Sequence, residues 1–163
     1  MEDDLQENYR LLLGRTAIPF DTITETDDWH LRIFYLPSFL PETIFDVDYR
    51  NGQALFYRSR FLTSAWVALI QAHQAKGEIK PFSTERACAA LPAAHPLVGL
   101  VTDEHVYRMG DTELTDLDGD SYVVQLTHAA GVVEFETWSS SVTAPWHRLL
   151  NALELAVPLL PEN

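Results

Sequence analysis

A short polar break between two runs of alternating apolar and polar residues constrains the fold of this chain more than any other feature. The stretch TIFDVDYRNGQALFYRSR contains Asn51-Gly52, a pair that favours a two-residue type I′ turn because both residues tolerate positive φ. We therefore predict a β-hairpin over about 43–60. A two-residue turn gives this hairpin one apolar face, the predicted core face: Phe45, Val47, Tyr49, Ala54 and Phe56.

Two further hairpins are predicted later in the chain, and a single strand, WHLRIFYL, is predicted before the first one. HVYRM and TELTD flank Gly110-Asp111, which predicts a hairpin over about 105–116. SYVVQLTH and VVEFETWS flank Ala130-Gly131, which predicts a hairpin over about 121–139. A two-residue loop is preferred in that last hairpin because its register places the apolar residues on one face: Tyr122, Val124, Leu126, Val133 and Phe135.

Helical patterns lie between these strands. Apolar residues at helical spacing, with capping residues at the ends, predict helices over about 3–13, 63–76, 84–91 and 144–157. Gly14 is expected to end the first helix, and the third is expected to bury Cys88. The segment PAAHPLVG is predicted to be a connection because its prolines interrupt any pattern.

These elements predict an α+β fold. We expect one antiparallel sheet, or two abutting sheets, built from hairpins, with the helices packed on one face. A hairpin followed by a helix occurs twice, and Trp66 and Trp146 occupy matching places, so the sequence also suggests a pseudo-repeat. The length of 163 residues fits a single domain over 1–163.

Composition excludes several classes of protein. The net charge is −13, with 24 acidic and 11 basic residues, which argues against binding to nucleic acid. No apolar run reaches the roughly 18 residues of a membrane span. The start, MEDDLQENYR, does not resemble a secretory signal, and the single cysteine excludes an internal disulfide framework. We therefore expect a cytoplasmic protein.

No local motif for catalysis or for a cofactor is present. The acidic stretch TELTDLDGDSY does not align with an EF-hand loop in either register, so Asp118-Gly119 is predicted to be a hairpin turn. The histidines lie in separate segments with no zinc-ligand spacing, and no nucleophile elbow or phosphate loop occurs. The sequence predicts neither a metal nor a cofactor. An enzyme site assembled from distant residues remains an alternative.

The acidic residues instead predict a protein-binding surface. Seven acids and one base lie in 101–120, and further acids and a tryptophan lie on the predicted outer face of the last hairpin. Acidic side chains around an aromatic residue suit an interface with a basic protein. The predicted partner-binding residues are Asp111, Glu113, Asp116, Asp118, Asp120, Glu134, Glu136 and Trp138.

The leading hypothesis from these features is a non-enzymatic immunity or inhibitor protein that neutralises a bacterial toxin or effector, as a monomer or a homodimer. The order helix, three strands, helix, strands, helix, together with the acidity, is also similar to that of the small chaperones of bacterial type III secretion. The segment 78–104 departs from that order. The resemblance implies a dimeric chaperone that binds an unfolded client, and it assigns no residues.

Overall fold

The computed structural model describes residues 2–38, 40–75, 82–103, 119–138 and 144–156. Within these ranges the elements follow in the order α1 (Glu2–Thr16), β1 (Trp29–Leu36), β2 (Thr43–Arg50), β3 (Gln53–Phe61), α2 (Ala65–Ala75), β4 (Thr84–Pro92), α3 (Pro96–Thr102), β5 (Ser121–His128), β6 (Gly131–Trp138) and α4 (Ala144–Ala156). The strands form one six-stranded sheet in the order β4-β3-β2-β1-β5-β6, with every neighbouring pair antiparallel. The predicted α+β fold is confirmed.

The β2–β3 hairpin forms as the sequence predicts. Asn51 has a φ of 52° and Gly52 a φ of 77°, as a type I′ turn requires. Val47 lies opposite Phe56, and the predicted core face is buried or half-buried along its length. Local turn chemistry and side-chain alternation therefore fix this part of the sheet.

The helices divide between the two faces of the sheet, whereas the sequence predicted them on one. Trp146 of α4 and Leu97 of α3 pack in the core on the face that carries Val47. Leu13 of α1 and Ala65 of α2 pack on the opposite face, against Phe34, Ile44 and Phe61. Because α2 and α4 lie on opposite faces, the structure does not confirm the pseudo-repeat.

The segment STERACAAL forms an edge strand and not the predicted helix over 84–91. β4 pairs with β3 along its whole length, and its side chains alternate between half-buried and exposed. The alanines of this segment favour a helix locally, but pairing with β3 and packing of Ala87, Ala89 and Leu91 against the core outweigh that preference. Cys88, which was predicted to be buried, points outward and is exposed.

The predicted connection PAAHPLVG contains a short helix, α3. Pro96 begins this helix, where a missing backbone N–H is tolerated. His95 is its N-cap, and its Nδ1 accepts a hydrogen bond from the backbone N–H of Leu97 at 3.2 Å. The prediction that both prolines only interrupt regular structure was therefore wrong, because Pro96 begins a helix.

The remaining boundaries agree closely with the sequence predictions. α1 continues through Gly14 to Thr16, while α2 and α4 confirm the helices predicted over 63–76 and 144–157. The β5–β6 hairpin has the predicted two-residue loop, although the loop is Ala129-Ala130 and Gly131 begins β6. The hairpin predicted over 105–116 lies outside the described residues.

The buried carboxylate of Glu42 caps the N-terminus of α2, although Glu42 lies before β2 in the chain. Its side chain is fully buried and accepts hydrogen bonds from the backbone N–H groups of Ala65 at 2.7 Å and Trp66 at 3.0 Å. The hydroxyls of Tyr9 and Ser64 donate to it at 2.8 and 3.3 Å. A negative group at a helix N-terminus is stabilised by the unpaired N–H groups there. Glu42 therefore joins α1, α2 and the start of β2.

In the part of the chain that the structure describes, no helix has the length and apolar character needed to cross a membrane.

Candidate functional site

The exposed edge of the sheet at β6 carries part of the predicted partner-binding surface. β6 pairs with β5 on one side, and no described strand pairs with its other side. Val132 and Val133 are 63% and 58% exposed, and Glu134 and Glu136 are exposed as well. We call these residues, 132–136, the β6 edge.

The two glutamates of the β6 edge are held by neighbours on the same face. Glu134 accepts a hydrogen bond from the amide of Gln125 at 2.8 Å, and Glu136 pairs with Arg10 of α1 at 2.8 Å. Both contacts are exposed, so each stabilises the fold by about 1 kcal/mol at most. Two ordered carboxylates thus remain accessible beside exposed valines.

The other predicted partner-binding residues lie elsewhere. Asp111, Glu113, Asp116 and Asp118 fall outside the described residues. The backbone of Trp138 pairs with Ser121 at the far end of β6. The carboxylate of Asp120 accepts a hydrogen bond from the hydroxyl of Tyr35 at 2.8 Å, on the α3–α4 side of the sheet. The structure therefore brings Glu134 and Glu136 together and places Asp120 on the other face.

The tyrosines beside Asp120 predict a loss of stability at high pH. Burial, with Asp120 and Glu154 nearby, raises the pKa of Tyr122 to about 12. Burial and hydrogen bonding to a carboxylate also raise the pKa values of Tyr35 and Tyr9. Each folded-state pKa then exceeds its unfolded value of about 10. The stabilising difference is present below pH 10 and is lost as the pH rises above it, because only the unfolded chain releases these protons.

We therefore expect three of the six tyrosines to resist ionisation until the protein unfolds. Absorbance of tyrosinate, recorded together with circular dichroism between pH 9 and 13, checks this result. A gradual titration of all tyrosines with an intact circular dichroism spectrum would contradict it.

A cavity opens on the α1–α2 face of the sheet, over β1 and β5. It has a volume of about 690 Å³, and we call it the β1–β5 cavity. Its floor is formed by His30 and Arg32 of β1 and by Gln125 and Thr127 of β5. Its wall is formed by the segment 17–23, which follows α1.

A buried ion-pair network forms the floor of the β1–β5 cavity. The register of β1 and β2 sets Arg32 directly opposite Asp46. The Nε of Arg32 donates to Asp46 Oδ1 at 2.7 Å, and the Nε2 of His30 lies 3.3 Å from the same oxygen. Asp46 is 1% exposed, and its Oδ2 has no hydrogen-bond partner among the described residues. A buried carboxylate of this kind depends on its cationic neighbour.

Aromatic side chains enclose the same network. The ring of Phe20 lies on the imidazole of His30, with centroids 3.8 Å apart. The guanidinium of Arg32 lies 5.4 Å from the centroid of Phe20 and 5.9 Å from that of Phe34. Arg32 also donates to the backbone carbonyl of Ile18. These contacts fix the segment 17–23 over the sheet and leave part of the guanidinium facing the cavity.

The chemistry available in this cavity is recognition by charge and hydrogen bonding. Its polar residues are arginines, histidines, amide and hydroxyl groups and one carboxylate, that of Asp21, and its described lining contains no cysteine, serine or lysine. Among the described residues, no group of three or more His, Cys, Asp and Glu side chains is arranged to hold a metal ion.

Sequence reasoning missed the cavity and the ion-pair network beneath it because their residues come from separated segments: 14–23, β1, β2 and 125–132. His30 and Arg32 lie in the predicted strand WHLRIFYL, and Asp46 and Asp48 alternate on the face of β2 away from the core. Two basic residues on one strand and two acidic residues on the next were the available signal. It becomes informative only when β1 and β2 are known to pair in this register.

Comparison with protein-family models, with curated proteins and with solved structures finds no match to this chain.

Proposed function

We propose that this protein is a non-enzymatic acidic protein that binds a basic partner protein. The form we favour is an immunity or inhibitor protein that neutralises a bacterial toxin or effector in the cytoplasm. The observation that carries the proposal is the β6 edge, where exposed valines and two exposed glutamates lie on a strand with no described neighbour on its outer side.

Strand edges and charge give two complementary ways to bind such a partner. An exposed edge strand offers backbone N–H and C=O groups to an extended segment of another protein. The net charge of −13 attracts a basic surface and accelerates encounter. The acidic residues of 101–120 add to that attraction, and Asp111, Glu113, Asp116 and Asp118 stay part of the proposed surface.

The first test is a pull-down from the source cells with the tagged protein, with captured proteins identified by mass spectrometry. We expect one stoichiometric basic partner that is toxic when it is produced alone. Repeated low-salt pull-downs without such a partner would count against the proposal. A captured partner then allows the surface to be mapped with variants.

Charge reversal at the β6 edge is expected to slow association with that partner. Glu134→Lys should reduce the association rate about tenfold at low ionic strength, with a smaller effect as salt increases. Glu85→Lys makes the same change on β4, the opposite edge of the sheet, and should have little effect. Equal association rates for the two variants would remove the β6 edge from the interface.

Two alternatives predict different outcomes. A dimeric secretion-chaperone-like protein would scatter light as a stable dimer and would bind an unfolded client segment. An enzyme with a site assembled from distant residues is favoured by one observation, the convergence of His30 and Arg32 on the β1–β5 cavity. Turnover of a substrate that is abolished by changing His30 would support the enzyme over the binding protein.

A further inference from the structure

We propose that the β1–β5 cavity binds a small organic carboxylate with an apolar body. This inference does not depend on the protein partner proposed above, because the cavity is a concave site that shares only Val132 with the β6 edge. Its volume of about 690 Å³ lies in the range of small-molecule sites, roughly 300–1,000 Å³.

Basic side chains outnumber acidic ones in the described lining of the cavity, the reverse of the chain as a whole. Acids outnumber bases 24 to 11 in the whole sequence. Among the described residues, the cavity lining contains two arginines, Arg15 and Arg32, and one acidic residue, Asp21, together with the imidazoles of His30 and His128. Asp46 lies beneath the floor and balances part of the Arg32 charge. An anion entering from solvent therefore meets the guanidinium of Arg32 in a partly desolvated site, where charges interact more strongly than at the surface.

Arg32 has the hydrogen bonds needed to hold a carboxylate. A guanidinium has five N–H donors. Two are used by Arg32, one on Asp46 through Nε and one on the carbonyl of Ile18 through Nη2. The three other N–H donors, all on the terminal nitrogens, have no hydrogen-bond partner among the described residues, and Arg32 lines the cavity. The pair with Asp46 and the aromatic rings hold the guanidinium in place, so a carboxylate binds it without further ordering of the side chain.

The rest of the lining suits an apolar body. Ile18, Phe20 and Ile23 line the wall, and Val132 lines the rim. Gln125 and Thr127 on the floor supply further hydrogen-bonding groups. A ligand with a carboxylate at one end and a ring or short chain at the other matches this division, whereas inorganic phosphate leaves the apolar wall unfilled.

Binding can be tested with the full chain and three probes: cinnamate, cinnamyl alcohol and inorganic phosphate. Cinnamate and cinnamyl alcohol share an apolar body and differ in the carboxylate. Isothermal titration calorimetry should show cinnamate binding at least about tenfold more tightly than either of the others, equivalent to one good charge-assisted contact. Equal affinity for the alcohol, tighter binding of phosphate, or no cinnamate binding at millimolar concentration would overturn the proposal.

Two variants locate the binding. Arg32→Lys keeps the charge beside Asp46 but loses the planar fork, and it should weaken cinnamate binding at least about tenfold. Thr127→Phe fills the cavity from β5 without altering Arg32 or Asp46, and it should abolish binding even if Arg32→Lys fails to fold. Arg10→Lys, outside the cavity lining, is the matched control and should bind as the unchanged protein does. Unchanged binding by Thr127→Phe would place the cinnamate elsewhere and refute the site.

Discussion

Replacement of Glu42 by alanine is expected to lower the free energy of unfolding by roughly 3–5 kcal/mol, because several buried donors lose their common acceptor. Glu42 is fully buried and accepts from two backbone N–H groups at the start of α2 and from the hydroxyls of Tyr9 and Ser64. For a chain of this size, the loss corresponds to a fall in Tm of about 10 °C.

Two further variants separate the possible causes. Glu42→Gln keeps one acceptor oxygen and should lie between alanine and the unchanged protein. Ser64→Ala leaves the Glu42 carboxylate in place and removes the Ser64 hydroxyl, which accepts from the N–H of Val67 and donates to Glu42, and it should cost about 1 kcal/mol. Chemical denaturation monitored by circular dichroism gives the three values. A Glu42→Ala variant no less stable than Ser64→Ala would show that the buried carboxylate does not hold α2.

The second large effect is expected from Arg32→Ala. This change leaves the carboxylate of Asp46 buried without its cationic partner, and such losses cost about 3–5 kcal/mol. It also removes the contacts of the guanidinium with Phe20 and with the carbonyl of Ile18. We therefore expect the segment 17–23 to become more accessible to proteolysis in addition to the loss of global stability.

The double variant Arg32→Met with Asp46→Leu should recover most of that stability, because an apolar pair of similar volume avoids the cost of a buried unpaired charge. Arg10→Ala is the exposed control. Its partner Glu136 is accessible, with side-chain exposures of 60% and 38% for the pair, so the loss should be at most about 1 kcal/mol. Equal losses for Arg32→Ala and Arg10→Ala in urea unfolding would contradict the proposed role of burial.

Sequence reasoning predicted the elements whose signals are local. Asn51-Gly52 specifies its own turn, and the alternation on either side sets the register of β2 and β3. α4 has a helical apolar stripe, of which Trp146, Leu149 and Leu153 are buried as expected of a core-facing helix. In these cases the nearest neighbours in sequence contain the information that the structure uses.

The errors occur where distant segments decide the outcome. The alanines of β4 favour a helix in isolation, and only the neighbouring β3 makes them a strand. The second face of the sheet was also predicted wrongly, because its pattern of apolar and acidic residues is mixed and the helices were expected on the other face alone. Ile44 on that face is fully buried, and Asp46 is buried through its pair with Arg32.

The candidate site was predictable only in part. The exposed acids of β6 follow from strand alternation, and Glu134 and Glu136 lie on one accessible face as predicted. The β1–β5 cavity depends on the position of the segment 17–23, which no periodic pattern in DTITETDD or its surroundings determines. Long-range contacts of single side chains, such as Arg32 with Ile18, fix that position.

The place of β1 in the sheet has a consequence for the order in which the chain folds. β1 to β4 follow one another across the sheet, whereas β5 adds to the other side of β1 through pairs such as Trp29 with His128. During synthesis the early strands emerge first, and the free side of β1 stays unpaired until the C-terminal hairpin arrives. Closing a contact of that sequence separation is slow, and a waiting strand edge is prone to pair with another chain. A fragment ending near residue 100 should therefore self-associate through β1. In the full chain, the β5–β6 hairpin prevents this association by pairing with the free side of β1.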